Sequence, residues 1–300
     1  MPGKPSLRKK EVCRLTLDCA KKQAQVPRIQ TQKLIPLFEW AYQQYHAAPH
    51  RAQDPLDVVH TYLDPKDREI AAFYGALLAY GNVTTIISSL KKVLSPFGES
   101  LHSSLSSDFE RHRWEGFKHR FTTGEDILIL SFWLGTAVSK HGSLEKFFIA
   151  SDLPLNSPMK DLISDFVRRL WETPLPANLA KIKIKRNRNL KYLLSNPTDG
   201  SACKRLNMFF RWVVRNDDGI DLGLWKSLSP SQLMLPIDTH LLKVLTQLKW
   251  TRSKNVTWRT VEETTGYLRL ISATDPIKYD FALCHLGMSG QKLPKEIPNG

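Results

Sequence analysis

SACKRLNMFFRWVVRN, residues 201–216, is the stretch from which the fold can be predicted. Apolar side chains recur in it at the i, i+3, i+4, i+7 and i+8 spacing of a helix with one side packed on a core. These side chains are Leu206, Phe209, Phe210, Val213 and Val214. The opposite side of the same helix carries Lys204, Asn207, Arg211 and Arg215. The pattern predicts an amphipathic helix whose cationic side faces an extended, anionic partner.

The remaining sequence indicates an all-α protein of about ten helices joined by short turns. Three helices are expected to begin where an N-cap side chain precedes a proline, at Asp64-Pro65, Ser157-Pro158 and Asp275-Pro276. The first of these and the segment 125–139 are apolar nearly all round, which indicates buried helices. Further helices are expected over 32–46, 82–94, 238–248 and 258–272. The basic run KIKIKRNRNLK within 173–199 fits either a short β-ribbon or an extended loop.

The amino-acid composition argues against a membrane-spanning, a secreted and a disulfide-bonded protein. No stretch approaches the 18 to 20 apolar residues that a membrane span needs, and the N-terminus lacks the apolar core of a secretory signal. The four cysteines form no CxxC pair and no zinc-type spacing, which favours a reducing compartment over a disulfide framework. We therefore expect a soluble cytoplasmic protein with no metal and no cofactor.

The net charge of +14 is unevenly distributed. The excess of Lys and Arg lies in residues 1–30 and 181–215, and the rest of the chain is close to neutral. Charge concentrated in this way is typical of a protein that binds a polyanion, although a merely solvated charged surface is the alternative. Residues 1–30 are expected to be a mobile tail. The second segment supplies the predicted phosphate contacts Lys183, Lys185, Arg186 and Arg188.

Two residues are candidates for chemistry. Asp238 in LPIDTH precedes an apolar helix, so that its carboxylate is expected to cap that helix, and this alone explains an aspartate there. Lys204 opens the earlier helix beside a second cation, Arg205, which would favour the neutral, nucleophilic amine. A phosphate contact is the alternative for Lys204. If the 33 intervening residues fold back, the two side chains can share a cleft.

Three stretches of the sequence, 64–82, 195–240 and 275–290, resemble those of a protein family. They read DPKDREIAAFYGALLAYGN, SNPTDGSACKRLNMFFRWVVRNDDGIDLGLWKSLSPSQLMLPIDTH and DPIKYDFALCHLGMSG. With the helices between them they resemble an uncharacterised bacterial family whose members look like remote relatives of the helix-hairpin-helix DNA glycosylases. LPIDTH resembles the VDTH that carries the catalytic Asp of glycosylases similar to endonuclease III. The layout is most similar to that of the archaeal 8-oxoguanine glycosylases.

The resemblance implies a two-lobed helical domain over 31–290 that acts on duplex DNA. One lobe would comprise about 31–80 and 255–290 and the other about 82–250, with a C-terminal tail at 291–300. A damaged base would be flipped into the cleft. Asp238 and Lys204 would be catalytic, Tyr80 and Asn82 would contact or replace the base, and Arg205, Asn207, Arg211 and Arg215 would bind backbone phosphates.

The chain departs from the glycosylase pattern in two respects. The Leu-Pro-Gly-x-Gly hairpin before the lysine is absent, and only Cys284 lies beyond residue 204, which excludes a four-cysteine iron–sulfur cluster within this chain. The sequence therefore predicts a DNA base-excision glycosylase, with or without lyase activity. The alternatives are a DNA- or RNA-binding protein that has lost the chemistry and an enzyme that acts on RNA. Protein partners cannot be inferred.

Overall fold

The computed structural model describes residues 31–51, 54–105, 112–179, 187–291 and 293. In them the chain forms fourteen α-helices and one small hairpin, which confirms the all-α prediction. The helices are α1 (Ile35–Tyr45), α2 (Ala48–Arg51), α3 (Pro55–His60), α4 (Pro65–Leu78), α5 (Val83–Leu94), α6 (Leu101–Leu105), α7 (Gly124–His141), α8 (Leu144–Ile149), α9 (Met159–Trp171), α10 (Arg188–Leu193), α11 (Lys204–Val214), α12 (Thr239–Gln247), α13 (Trp258–Ile271) and α14 (Asp280–Ser289). Single 3₁₀ turns cover Ser95–Phe97, Pro197–Asp199 and Pro230–Gln232.

Helices α4 and α11 pack against each other. Helix α4 begins as its sequence predicts, with the Asp64 carboxylate accepting the backbone N–H of Lys66 at 2.7 Å and a proline in the first turn. Every residue of α4 from Glu69 to Leu78 is buried, as expected. Phe73 of α4 meets Phe209 of α11 edge to face, with ring centroids 5.0 Å apart. Large aromatic contacts of this kind stabilise a core beyond the area that they bury.

Helix α11 differs from its prediction in length and in surroundings. It begins at Lys204 because Cys203 adopts a left-handed conformation with φ +47°, which α-helical residues do not. The apolar side is buried as expected, but the opposite side is buried too, including Arg205, Asn207, Arg211 and Arg215. The prediction of an exposed cationic side is therefore wrong.

Carboxylates from distant parts of the chain explain how arginines can be buried on α11. Arg211 Nη1 donates to Asp280 Oδ2 at 2.7 Å, and Arg215 Nε donates to Asp275 Oδ2 at 2.9 Å. Asp221, which is fully buried, accepts from both guanidinium groups. Paired and hydrogen-bonded charges of this kind can occupy a protein interior, whereas isolated ones cannot.

Helix α14 packs between α12 and α1. It begins at Asp280, and the expected start at Asp275-Pro276 is wrong because residues 276–279 form a turn. The Asp275 side chain binds Arg215 instead of capping a helix. At the other end of α14, Gly287 lies so close to α12 that a Cβ there would stand 2.5 Å from the His240 carbonyl oxygen. Only glycine permits this approach of the two helices.

A hairpin of β1 (Lys118–His119) and β2 (Thr122–Thr123) is the one sheet in the described residues. Residues 181–186 of the basic run lie outside the described residues, and the end of the run, from Arg188, forms the start of α10. Predictions for residues 1–30, Lys183, Lys185 and Arg186 lie outside the described residues. None of the described helices combines the length and the apolarity that crossing a membrane requires.

Candidate functional site

A pocket of about 790 Å³ opens where the N-terminal ends of several helices meet. One wall is a face of α11, presented at helical spacing by Lys204, Met208, Arg211 and Trp212. A second wall is residues 236–240, which lead into α12. The third wall is a face of α14, and the fourth is the connection between α4 and α5 at residues 79–83. A volume of this size is ordinary for a site that takes a small organic ligand.

Asp238 lies in this pocket as the N-cap of α12. Its Oδ1 accepts the backbone N–H groups of His240 at 2.9 Å and Leu241 at 2.7 Å, as its sequence context predicts. The other oxygen, Oδ2, accepts the thiol hydrogen of Cys284 with Sγ 3.3 Å away. The carboxylate is thereby fixed in orientation while it remains partly exposed to the pocket. A rigid anion beside a cavity is the arrangement that stabilises developing positive charge.

Lys204 is brought to the same pocket by the first turn of α11. Its side chain is half-buried, and Nζ donates to the carbonyl oxygen of Ala79 at a long 3.4 Å. Ala79 follows α4, so that this bond partly satisfies a carbonyl at a helix C-terminus. The strained, left-handed Cys203 immediately before it sets the direction in which Lys204 leaves the backbone.

Tyr80 also lines the pocket, but Asn82 does not belong to its walls. The Tyr80 hydroxyl shares a hydrogen bond of 2.6 Å with Thr122 Oγ1 and donates to the His119 carbonyl at 3.1 Å. Asn82 is the N-cap of α5, with its side-chain oxygen accepting from Thr84 N at 3.0 Å. The sequence placed both residues at a helix break, and the structure gives them different surroundings.

The residues predicted to bind phosphates divide into three groups. Arg205, Asn207, Arg211 and Arg215 are buried, which removes them from the protein surface, and this expectation is corrected here. Arg205 donates to the carbonyls of Leu77 and Tyr192, and Asn207 donates to the carbonyl of Ala202 at 3.0 Å. Arg188 is exposed at the start of α10. Lys183, Lys185 and Arg186 lie outside the described residues.

The pocket residues that were not predicted from the sequence include His50, Asp54, Asp280, Cys284 and His285. Asp280, Cys284 and His285 lie on one face of α14 because four residues make about one turn. Polar side chains at that spacing within the apolar run DFALCHLG are the signal that could have identified them. His50 and Asp54 come from α2 and from the N-cap of α3, and nothing in their own stretches indicated the pocket.

Burial and neighbouring charges shift the pKa values of three α14 side chains. Burial raises the pKa of Asp280 to about 6, against the opposing effect of the Arg211 guanidinium. The pKa of the Cys284 thiol lies well above its ordinary value because the thiol is buried, with the nearby charges of Asp238 and Asp280 adding to the effect. Burial, aided by His50 and Arg211, lowers the pKa of His285 to about 4. Cys284 is therefore a protonated donor and His285 a neutral imidazole at neutral pH.

Lys204 and Asp238 act electrostatically on the same thiol. Asp238 raises the pKa of Cys284, and Lys204 lowers it. The amine and the carboxylate thus face one small region, although 33 residues separate them in the chain. Among the described residues no group of three or more His, Cys, Asp and Glu side chains is arranged to hold a metal ion. The pocket therefore brings together an amine, a fixed anion and a thiol donor.

Residues 54–289 match the model of a protein family described as Protein of unknown function (DUF2400), and the chain belongs to that family. The expectation of an uncharacterised family is thereby confirmed. No curated protein and no solved structure matches the chain. The likeness to DNA glycosylases receives no support from these comparisons.

Proposed function

We propose that this DUF2400 protein is a DNA base-excision glycosylase with lyase activity, and that Lys204 and Asp238 carry its chemistry. The proposal depends on one observation: Lys204 and Asp238 line the same pocket, in which the thiol of Cys284 donates to the Asp238 carboxylate. Lysine as nucleophile and aspartate as fixed anion are what excision of a base through a covalent intermediate requires.

The volume of the pocket supports a flipped nucleotide as the substrate. A cavity of about 790 Å³ accommodates a nucleobase with its sugar. Extruding a damaged or mispaired base from duplex DNA costs only a few kcal/mol, which contacts inside the pocket can offset. Lys204 on the α11 wall supplies positive charge to the pocket, whereas the charge of Arg211 is neutralised by Asp221 and Asp280.

The reaction follows from the two side chains. The amine of Lys204 attacks C1′ of the nucleotide through its lone pair, the C1′–N bond breaks, and the base departs with the bonding electrons and takes the proton that the attached nitrogen loses. Asp238 stabilises the positive charge that develops on the sugar as this bond breaks, because its carboxylate is already fixed by the N–H groups of α12. The C1′–O4′ bond then breaks, O4′ takes a proton from water, and the nitrogen lone pair forms the C=N bond of an iminium ion on Lys204. Loss of a proton from C2′ then expels the 3′ phosphate and nicks the strand.

Borohydride trapping tests this proposal directly. The full-length protein is incubated with 5′-labelled duplex oligonucleotides that carry an abasic site or 8-oxoguanine, and sodium borohydride is added to reduce the iminium ion to a stable amine. We expect a covalent protein–DNA adduct with the wild type and none with Lys204→Gln. Lys226→Gln removes an exposed lysine that lies outside the pocket and is the matched control, which should form the adduct.

Two outcomes separate the proposal from its alternative. If no substrate gives an adduct and no base is released, while the oligonucleotides still bind in a salt-dependent manner, the protein is a nucleic-acid-binding protein without this chemistry. If an adduct forms equally with Lys204→Gln, another amine is the nucleophile and the assignment of Lys204 is wrong. A repeat with matched RNA duplexes decides which nucleic acid is the substrate.

A further inference from the structure

Three aromatic rings form a cluster at one wall of the pocket, and we call this cluster the aromatic rim: Tyr80, Phe121 and Tyr192. Tyr80 and Tyr192 also line the pocket. Phe121 stacks on Tyr80 with 5.2 Å between ring centroids and 17° between planes, and it meets Tyr192 edge to face at 4.6 Å. Phe121 and Tyr192 are nevertheless 39% and 43% exposed to solvent. Apolar rings left in water beside a cavity indicate a binding surface.

Hydrogen bonds between Tyr80 and the hairpin hold the rim in place. The Tyr80 hydroxyl is bonded to Thr122 and to the backbone of His119, in the hairpin that carries Phe121. His119 is buried and its Nε2 lies 3.1 Å from the Tyr80 carbonyl, so that each residue holds the other. Its Nδ1 lies 2.9 Å from Ser89 Oγ of α5. These hydrogen bonds fix the hairpin, so that Phe121 is exposed in a defined position.

Tyr192 is anchored by contacts with Arg205 of α11. The guanidinium of Arg205 lies 3.9 Å from the centroid of the Tyr192 ring and donates to the Tyr192 backbone carbonyl. Tyr192 belongs to α10. At the start of α10, the side chains of Asn187 and Asn189 donate to the two carboxylate oxygens of Asp126, which is buried in the first turn of α7. A pre-organised aromatic surface loses little conformational entropy when a ligand binds to it.

Exposed cations surround the rim. The hairpin contributes Lys118 and Arg120, and α10 contributes Arg188 and Lys191. Neither the hairpin, KHRFTT, nor α10, RNLKYL, contains an acidic residue. Arg120 has φ +54° and packs against Gly81, which places this cation beside the pocket wall. Partly exposed aromatic rings close to cations are what proteins use to stack bases and to hold the phosphates between those bases. An apolar protein partner would not require the four cations.

We propose that the aromatic rim is a stacking platform for an unpaired nucleobase beside the pocket. Phe121 and Tyr192 contact the base, and Lys118, Arg120, Arg188 and Lys191 contact the phosphates on either side of it. The inference rests on the proposed function in its choice of nucleic acid as ligand, but it requires no catalysis. Phe121 is therefore a specificity residue for unpaired strands and takes no part in bond breaking.

Binding of a fluorescein-labelled single-stranded oligo(dT) 12-mer to the full-length protein tests the platform. The anisotropy titration is made at several salt concentrations with wild type, Phe121→Ala, Phe121→Trp and Arg120→Gln. Since stacking of one base contributes about 1–3 kcal/mol, Phe121→Ala should weaken binding by about 5-fold or more, and Phe121→Trp should retain the wild-type affinity. Ile149→Ala is the control, because Ile149 is also 39% exposed but lies outside the pocket.

The salt dependence distinguishes stacking from charge. Phe121→Ala should lower the affinity equally at every salt concentration, because no phosphate contact is lost. Arg120→Gln should reduce the slope of log K against log salt by about 0.7. The platform is disproved if Phe121→Ala binds as the wild type does, or if the wild type does not bind the oligonucleotide. An adduct at Lys204 together with an unchanged Phe121→Ala would refute the platform alone. A weakened Phe121→Ala without any adduct would refute only the chemistry.

Discussion

Cys284 Sγ donates to Asp238 Oδ2 at 3.3 Å, on the side of the carboxylate that does not cap α12. Because burial raises the pKa of this thiol, it keeps its hydrogen and can act only as a donor at neutral pH. The two interactions together leave the Asp238 carboxylate a single orientation. The capping bonds of α12 and the buried thiol of Cys284 together fix the orientation of the Asp238 carboxylate beside the pocket.

Replacing Asp238 by asparagine separates the two roles of this residue. Asparagine caps helices as well as aspartate does, so that Asp238→Asn should change the stability by less than about 1 kcal/mol, and Asp238→Ala should cost about 1 kcal/mol. The loss of the negative charge should lower the rate of adduct formation at least about 100-fold, which is typical of removing one electrostatic group. Single-turnover kinetics and urea denaturation measure the two effects. An Asp238→Asn protein with wild-type kinetics would show that the carboxylate only caps α12.

Much of the fold could be predicted because helix starts and buried faces are local properties of the chain. Asp64 with Pro65 and the apolar segment after it were enough to predict α4 and its burial. Asp275 with Pro276 has the same local pattern but starts no helix, because Asp275 is bound by Arg215 from α11. A cap motif describes a preference of the backbone, and a buried guanidinium that needs a partner outweighs it.

The sequence predicted that Lys204 and Asp238 could share a cleft, and both line the pocket, but it did not predict that the arginines of α11 are buried. Periodicity shows which residues of α11 share a side, and it does not show what faces that side. Asp221, Asp275 and Asp280, which neutralise Arg211 and Arg215, follow α11 in the chain by stretches of different length, and no local pattern links them to it. A cationic stripe is therefore no evidence of an exposed surface unless the acids of the same chain are accounted for.

The buried charges provide the next prediction. Arg211→Met leaves Asp280 and Asp221 without one of their partners in the protein interior, and breaking a buried pair in this way should cost about 3–5 kcal/mol. The double variant Arg211→Met/Asp280→Asn should recover part of this loss, because one of the uncompensated charges is removed. Arg259→Met is the control, since that arginine is paired with Glu263 at an exposed position where the effect should stay below about 1 kcal/mol. Equal effects of Arg211→Met and Arg259→Met in urea denaturation would contradict a buried network.

His285 should make the protein sensitive to acid. Its folded-state pKa of about 4 lies below the ordinary value near 6.5, so the unfolded chain binds the proton more readily. The resulting stability is present above pH 6.5 and is lost as the pH falls toward 4. Asp280, with a raised pKa of about 6, acts in the opposite direction as the pH falls below 6.

A glutamine variant isolates the contribution of His285. Between pH 7.5 and pH 5 the wild type should lose roughly 1–2 kcal/mol more of its free energy of unfolding than His285→Gln, because glutamine does not titrate. His112→Gln, at an exposed histidine, should follow the wild type. The side chains of His50, Arg211 and Asp238 act on His285 and are unchanged in both variants. Parallel pH profiles for wild type and His285→Gln would show that His285 does not titrate in this range.

Gly287 tests whether the approach of α14 to α12 positions the chemistry. Gly287 lies three residues after Cys284, on the same side of α14, and a Cβ at this position would stand 2.5 Å from the His240 carbonyl oxygen. Since that atom belongs to the backbone, Gly287→Ala must separate the helices, at a cost of about 1–3 kcal/mol. The displacement should also lengthen the bond from Cys284 to Asp238 and slow adduct formation. Gly266→Ala is the matched control, because Gly266 lies inside α13 with nothing within 4 Å of its added Cβ, and alanine should stabilise that helix by about 0.5–1 kcal/mol. If Gly287→Ala is destabilised yet forms the adduct at the wild-type rate, the spacing of α12 and α14 serves packing alone, and the orientation of Asp238 depends on its cap.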